Sequence, residues 1–262
     1  MKPDTNTKRK LILKNYAAVA ASQGANGCCG GGCCSGSPLD AKSAARALGY
    51  TDDDLADMPD AANMGLGCGN PLAIAALKPG ETVLDLGSGG GFDCFLASRR
   101  VGPQGLVIGV DMTPDMVHLA RQNAQKSGFG HVSFRLGEIE HLPVADQSVD
   151  VIISNCVINL AQEKKQVFRE AWRVLKPGGR LAISDIVATA ELPERIQNDL
   201  AMLSGCIAGA VHLDTLRVLL EQAGFRDIRL TPKDNSQEIL SSWVPGSKAE
   251  DYVAAFMIEA VK

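Results

Sequence analysis

An apolar run, Val83-Leu84-Asp85-Leu86, breaks into Gly87-Ser88-Gly89-Gly90-Gly91 and resumes at Phe92 with helical periodicity. A strand that turns on glycines straight into a helix is one half of a βαβ unit. The glycines let the backbone reverse and approach a ligand, and the helix start presents unpaired amides. A second apolar run ends in Val110-Asp111 about twenty residues on, where a carboxylate can accept hydrogen bonds from both hydroxyls of a ribose. The pair of features favours a nucleotide-type ligand over a bare connecting turn.

From Thr82 to Val261 short β-branched runs alternate with longer amphipathic segments, the pattern of a mostly parallel sheet covered by helices. Strands are expected at Thr82–Leu86, Leu106–Asp111, Val132–Leu136, Val149–Asn155, Arg180–Val187, Phe225–Leu230 and Tyr252–Ala260. Helices fit at Phe92–Arg100, Pro114–Ser127, Lys164–Leu175 and His212–Ala223, with the turn Lys176-Pro177-Gly178-Gly179 stopping the third and Gly224 the fourth. Leu192–Ala210 reads as a helical insertion after the fifth strand. Upstream, Lys8–Ser22 and Asp40–Leu48 read as helices. Gly24–Pro38, with its CCGGGCC run, reads as a loop, as do the acidic stretch Thr51–Pro59 and the glycine-rich Asn63–Pro71. No internal repeat is visible. The expected division is an N-terminal Cys/Gly-rich extension over residues 1–70 and a main α/β domain over 71–262 that includes the insertion at 191–211.

A chain of 262 residues can bury one substantial core and still carry extensions. The net charge of −4, with no long Lys/Arg cluster, argues against a nucleic-acid partner. No stretch is long and apolar enough to cross a bilayer, and no signal-peptide pattern opens the chain, so a cytoplasmic monomer without membrane contact is expected. In that compartment thiols stay reduced. The eight cysteines therefore point to metal binding or catalysis before structural disulfides.

The series Asp85-Leu-Gly-Ser-Gly-Gly-Gly91, Asp111-Met112, Gly137-Glu138-Ile139-Glu140 and Leu175-Lys-Pro-Gly-Gly179 resembles the ordered motifs of class I S-adenosylmethionine-dependent methyltransferases. The resemblance runs from about Pro79 to the last residues and implies a Rossmann-like, seven-stranded, mostly parallel sheet. It also implies that Asp85, Gly87, Ser88, Gly89 and Gly91 surround the methionine part of the cofactor, that Asp111 holds the ribose, and that Met112, Glu138 and Ile139 border the adenine. The end of the fourth strand, Ser154-Asn155-Cys156-Val157, would then face the reactive methyl.

Cys68, Cys156 and Cys206 sit on three segments that such a fold gathers over the cofactor. Each alone reads as a small buried apolar residue, as does Cys94 inside the helix after the glycine loop. Together they suggest a shared ligand. Three sulfur donors with no evident fourth His or carboxylate suit a soft, pyramidal centre better than tetrahedral zinc. Trivalent arsenic is such a centre, and its lone pair can attack an electrophilic methyl without any general base. Met64-Gly-Leu-Gly-Cys68-Gly-Asn-Pro71, Ser154-Asn-Cys156-Val-Ile-Asn159 and Asp199–Ala210 are similar to the arsenite methyltransferase family, as is Ala47–Leu55. The resemblance makes Cys68, Cys156 and Cys206 the arsenic ligands and places Asn155 at the methyl-transfer site.

Holding the lone pair and the methyl in a near-attack arrangement is worth on the order of 7–11 kcal/mol. Arsenic is formally oxidised by the transfer, so a thiol reductant, glutathione or a thioredoxin-like partner, is expected as co-substrate. The family also uses an N-terminal cysteine in that cycle. Cys28, Cys29, Cys33 and Cys34 are candidates here, with Cys34 or Cys33 favoured, and an incidental metal-scavenging loop stays open as an alternative. Two other functions remain in view: a small-molecule C- or O-methyltransferase acting, for example, on quinones, with structural cysteines, and a thiol-rich protein that only sequesters metalloid or zinc.

Overall fold

The computed structural model describes residues 5–22, 41–59, 61–244 and 246–262. Seven strands, β1 (Thr82–Leu86), β2 (Leu106–Asp111), β3 (Val132–Leu136), β4 (Val149–Asn155), β5 (Leu175–Ala188), β6 (Arg226–Pro232) and β7 (Val253–Val261), form one sheet in the order β3-β2-β1-β4-β5-β7-β6. All neighbours are parallel except β7, which runs antiparallel between β5 and β6. The class I methyltransferase fold read from the motif series is the fold observed.

Ahead of the sheet come α1 (Thr5–Ala21), α2 (Ala41–Leu48), α3 (Asp52–Leu55) and α4 (Leu72–Ala75). The crossovers are α5 (Phe92–Val101), α6 (Pro114–Ser127) and α7 (Lys164–Val174). Then follow α8 (Glu194–Gln197), α9 (Leu200–Ser204), α10 (Leu213–Ala223) and α11 (Ser236–Trp243). The boundaries of α6 show why local sequence suffices there. Pro114 opens it with a φ already set for helix, and Gly128 ends it in the left-handed region at φ 74°.

Two apolar layers hold the sheet. Leu84, Leu86, Ile108, Ile152 and Leu181 face one layer with Val167, Phe168 and Leu220. Val83, Val107, Val151 and Ile153 face the other with Phe95, Leu96 and Val101. Because both faces are covered, the central strands read as continuous apolar runs and not as alternating ones. Each large side chain buried here stabilises the fold by about 1.5–3 kcal/mol. A smaller cluster sits beyond the ends of β4 and β5 and contains Cys68, Cys156 and Cys206 with Ile186, Ile196, Ile207 and Leu240.

Four segments depart from expectation for identifiable reasons. The acidic stretch from Thr51 contains a helical turn, α3, because Thr51 and Asp54 form a reciprocal capping box. The helical insertion is divided into two short helices, α8 and α9, since Asp199 caps a new start by accepting from the Ala201 and Met202 amides. Strand β5 extends back through the Lys176–Gly179 turn to Leu175, with a register shift opposite Val149 and Val151. Ser236–Trp243, where the sequence pattern predicts no element, forms α11, and its Trp243 packs against the cysteine cluster.

In parallel sheets, ligands sit beyond the carboxyl ends of the strands at the point where the winding reverses. Here that point lies between β1 and β4. Asp85, Asp111, Asn155 and Asp185 all lie at or near those ends.

Candidate active site

Beyond β1 the Gly87 and Ser88 amides bond the Val110 carbonyl, tying the glycine loop to the end of β2. The Asp111 carboxylate accepts from the Gly89 amide at 3.0 Å and the Thr113 amide at 2.8 Å. Burial pushes its pKa up and those two amides oppose the rise. Asp85 is buried and accepts from the Cys94 thiol at 3.3 Å, and burial drives its pKa well above the carboxylate range. A buried carboxyl of this kind favours a cationic partner. The Ser88 hydroxyl is buried with no hydrogen-bond partner, and the space outward of Gly89 is open. An orphaned buried hydroxyl, the amide end of α5 and paired carboxyls fit the amino-acid and ribose portions of S-adenosylmethionine. Met112 is half-buried beside Asp111, Ile139 is buried among Leu84, Leu86 and Ile108, and Glu138 pairs with Arg9 of α1.

The second half of the site is built from Gly67-Cys68-Gly69. A Cβ on Gly67, whose φ is 122°, would lie 2.7 Å from the Asn155 amide nitrogen. A Cβ on Gly69 would collide with the Ser184 hydroxyl. Two glycines thus let this loop lie flat on the ends of β4 and β5 and deliver Cys68 between them. Its sulfur is 3.4 Å from Ser184 Oγ and in bonded contact with Cys156, the pair forming a disulfide with Cα atoms 6.0 Å apart. The sulfurs of Cys156 and Cys206 and a carboxylate oxygen of Asp185 all lie within 4.8 Å of one another. All three cysteines that the sequence singled out therefore gather at one buried point.

The backbone at that point is unusual. Cys156 and Cys206 adopt φ of 55° and 62°, a region where non-glycine residues cost of order 1 kcal/mol and persist only when their surroundings fix them. For Cys156 the Ser184 carbonyl accepts from its amide at 2.8 Å. The Cys206 thiol donates to the Cys156 carbonyl at 2.6 Å.

Asn155 links this cluster to the cofactor loop. Its Oδ1 accepts from the Cys68 amide at 3.0 Å, and its Nδ2 donates to the Gly69 carbonyl at 2.8 Å and to the Tyr50 hydroxyl at 3.2 Å. Tyr50 in turn donates to Asp93 at 2.7 Å. Burial raises the Asp93 pKa to about 6, against the pull of hydrogen bonds from Tyr50 and Asn155. Burial likewise holds the Tyr50 hydroxyl well above its ordinary value, so it stays a donor.

The fold and site have known counterparts. A methyltransferase-domain family model matches residues 77–240. A Halobacterium salinarum arsenite methyltransferase is 52% identical over 268 aligned residues, covering 99% of this chain and 68% of that protein. The chain belongs to the arsenite methyltransferase family. The human family member is 42% identical over 63% of the chain, which spans 46% of that longer protein. An arsenic(III) S-adenosylmethionine methyltransferase from Chlamydomonas reinhardtii superposes with a TM-score of 0.61 at 31% identity, over 86% of this chain and 74% of that one.

Several groups that shape this family member's site escaped the motif reading. Tyr50 lies inside the family-like stretch Ala47–Leu55, just before a capped acidic turn, but nothing in that stretch assigns it a role. Asp93 is the only charged residue in Phe92-Asp-Cys-Phe-Leu-Ala-Ser98, and Asp185 the only one in Leu181-Ala-Ile-Ser-Asp-Ile-Val-Ala188. A lone carboxylate inside an apolar element is the signal that could have found both. Asp185 is buried, and burial raises its pKa to about 7 while the Ile186 amide and Lys164 oppose that. Cys28, Cys29, Cys33 and Cys34 lie outside the described residues.

Proposed function

We propose that this chain transfers methyl groups from S-adenosylmethionine to trivalent arsenic held by Cys68, Cys156 and Cys206. The observation that carries the proposal is the meeting of three cysteines from three separate segments at one buried point beside the glycine loop. Family membership and the fit of the loop to the cofactor support the same reading.

In the oxidised pair Cys68–Cys156 the first step falls to a thiol reductant of the glutathione or thioredoxin kind. Two reductant thiols open the disulfide by exchange and leave as their own disulfide. The two freed cysteines and the already free Cys206 then each form a sulfur–arsenic bond as an arsenic–oxygen bond breaks, and each thiol proton departs with the hydroxide as water. Asp85, Gly87, Ser88, Gly89 and Gly91 would hold the methionine portion of the cofactor, Asp111 the ribose, and Met112, Glu138 and Ile139 the adenine. Bound there, S-adenosylmethionine supplies an electrophilic methyl on a sulfonium sulfur. Asn155 spans the two halves, anchored to the Cys68 amide on one side and to Tyr50 and Asp93 on the other, so it fixes the arsenic-bearing loop relative to the cofactor loop. Apolar neighbours Ile186, Ile207 and Leu240 exclude water from the sulfurs. After transfer, two sulfur–arsenic bonds would break as their sulfurs join in a disulfide, which returns two electrons to arsenic, and the Cys68–Cys156 pairing is a product such a step would leave. A reducing, cytoplasmic setting suits a cycle that must reopen it.

The test is to incubate purified protein with S-adenosylmethionine, arsenite and a thiol and to follow the arsenic species formed. Methylated arsenicals are expected from the native chain and none from Cys156→Ser or Cys206→Ser. Methylarsenite, needing only two thiolates, should still be methylated by Cys68→Ser. Full arsenite turnover by either of the first two variants would overturn the proposal, as would turnover of a quinone in place of arsenite.

A further inference from the structure

Asn159 stands three residues beyond Cys156 and is 4% exposed. Its side-chain amide nitrogen makes three contacts, to Asp185 Oδ1 at 3.0 Å, to the Ile186 carbonyl at 2.5 Å and to the Cys206 carbonyl at 3.0 Å. One side chain thus joins the turn after β4, the end of β5 and the insertion that carries Cys206. The opposite edge of the same residue is also used. A Cβ on Gly209 would collide with the Asn159 carbonyl oxygen, so the chain after Cys206 lies directly against the Asn159 backbone. Asp185 is itself fixed by the Ile158 amide at 2.9 Å and the Ile186 amide at 2.7 Å, which makes the acceptor side of this clamp rigid.

Cys156 and Cys206 both hold left-handed backbone angles that an unsupported residue would leave. Cys206 lies 50 residues downstream of Cys156, at the end of an insertion made of helices only four and five residues long. Such short helices supply little rigidity of their own. The position of the Cys206 sulfur must therefore be set by what its backbone docks against.

We propose that Asn159 is a positioning residue that docks the insertion and sets the distance between the Cys156 and Cys206 sulfurs, and so governs capture of trivalent arsenic. The inference rests on the three-thiol reading above. Asn159 contacts neither the glycine loop nor Asp111, so loosening it acts on the metalloid side of the site and leaves cofactor binding alone.

Steady-state kinetics on the reduced full chain with arsenite and S-adenosylmethionine tests this, using Asn159→Ala, which removes the amide donor shared among the three acceptors, and Gly209→Ala, which pushes the insertion off the same residue while leaving its amide intact. A displaced reacting group costs about a hundredfold in rate. Both variants should lose about tenfold to a hundredfold in kcat/KM for arsenite, mainly through KM, with KM for S-adenosylmethionine unchanged. Should Asn159→Ala fail to fold, Gly209→Ala decides alone. Cys206→Ser is the control that separates the two levels. If it retains full arsenite turnover, the three-thiol reading fails. If it is inactive while the folded variants keep the native KM for arsenite, or lose both KM values in parallel, Asn159 is not a positioning residue.

Discussion

Replacing Tyr50 by Phe removes one hydroxyl from a network in which Tyr50 and Asp93 are buried and Asn155 partly so, and leaves the ring in place. The lost contact is the 2.7 Å donation to Asp93, together with an acceptor for Asn155 at 3.2 Å. The cost depends on the charge of Asp93. A hydrogen bond to a buried charged group is worth about 1.5–3 kcal/mol, and one between neutral partners about 0.5–1.5 kcal/mol. Burial lifts the Asp93 pKa from its ordinary 3.8 to about 6. A carboxyl raised in the folded state contributes stability that is full below its unfolded pKa and is lost as pH rises through the folded value. In the native chain that loss runs from about pH 4 to pH 6. Without the Tyr50 donor the folded pKa climbs further, so the loss continues above that window. The variant should therefore be destabilised by about 1.5–3 kcal/mol at pH 8 and by roughly 1 kcal/mol at pH 5, a difference equal to about one further unit in the Asp93 pKa. Urea unfolding at both pH values, with the slope m compared to the native chain, measures this. An identical penalty at pH 5 and pH 8 would refute the charge argument, and no penalty at either would refute the network itself.

Ser88→Ala deletes a buried hydroxyl that has no partner in the cofactor-free chain. The free protein should be unchanged or more stable, while its affinity for S-adenosylmethionine by titration calorimetry falls about tenfold, the worth of one hydrogen bond. Leu84→Ala opens a cavity under the middle of the sheet, where the side chain is wholly buried, and should cost about 2–5 kcal/mol in urea unfolding without selectively affecting either substrate.

The sheet was legible because its signals are local and agree with one another. Pro114 and Gly128 bracket α6, the apolar runs of β1, β2 and β4 are too uniform for half-exposed strands, and the glycine loop fixes where the winding reverses. The three cysteines were legible only through motif resemblance, since nothing in their spacing says that residues 68, 156 and 206 converge. What stayed hidden depends on partners distant in sequence. Tyr50 means little until Asp93 and Asn155 lie against it, and Asn159, though it closes the family-like run from Ser154, shows no role until the Cys206 carbonyl arrives from 47 residues away. Asp185 carried the clearest unread sign, a carboxylate in an apolar strand. The insertion was legible as helical, but its division at Asp199 was not, because the cap sits within an apolar pattern that by itself continues the helix.

X-ray absorption at the arsenic edge, on reduced protein mixed with one equivalent of arsenite, reads the number of sulfur neighbours directly. Three sulfurs and no oxygen in the native chain, falling to two in Cys68→Ser, is the outcome the proposed site requires. Arsenic that keeps its oxygens in the native protein, or three sulfurs surviving in each single cysteine variant, would contradict it.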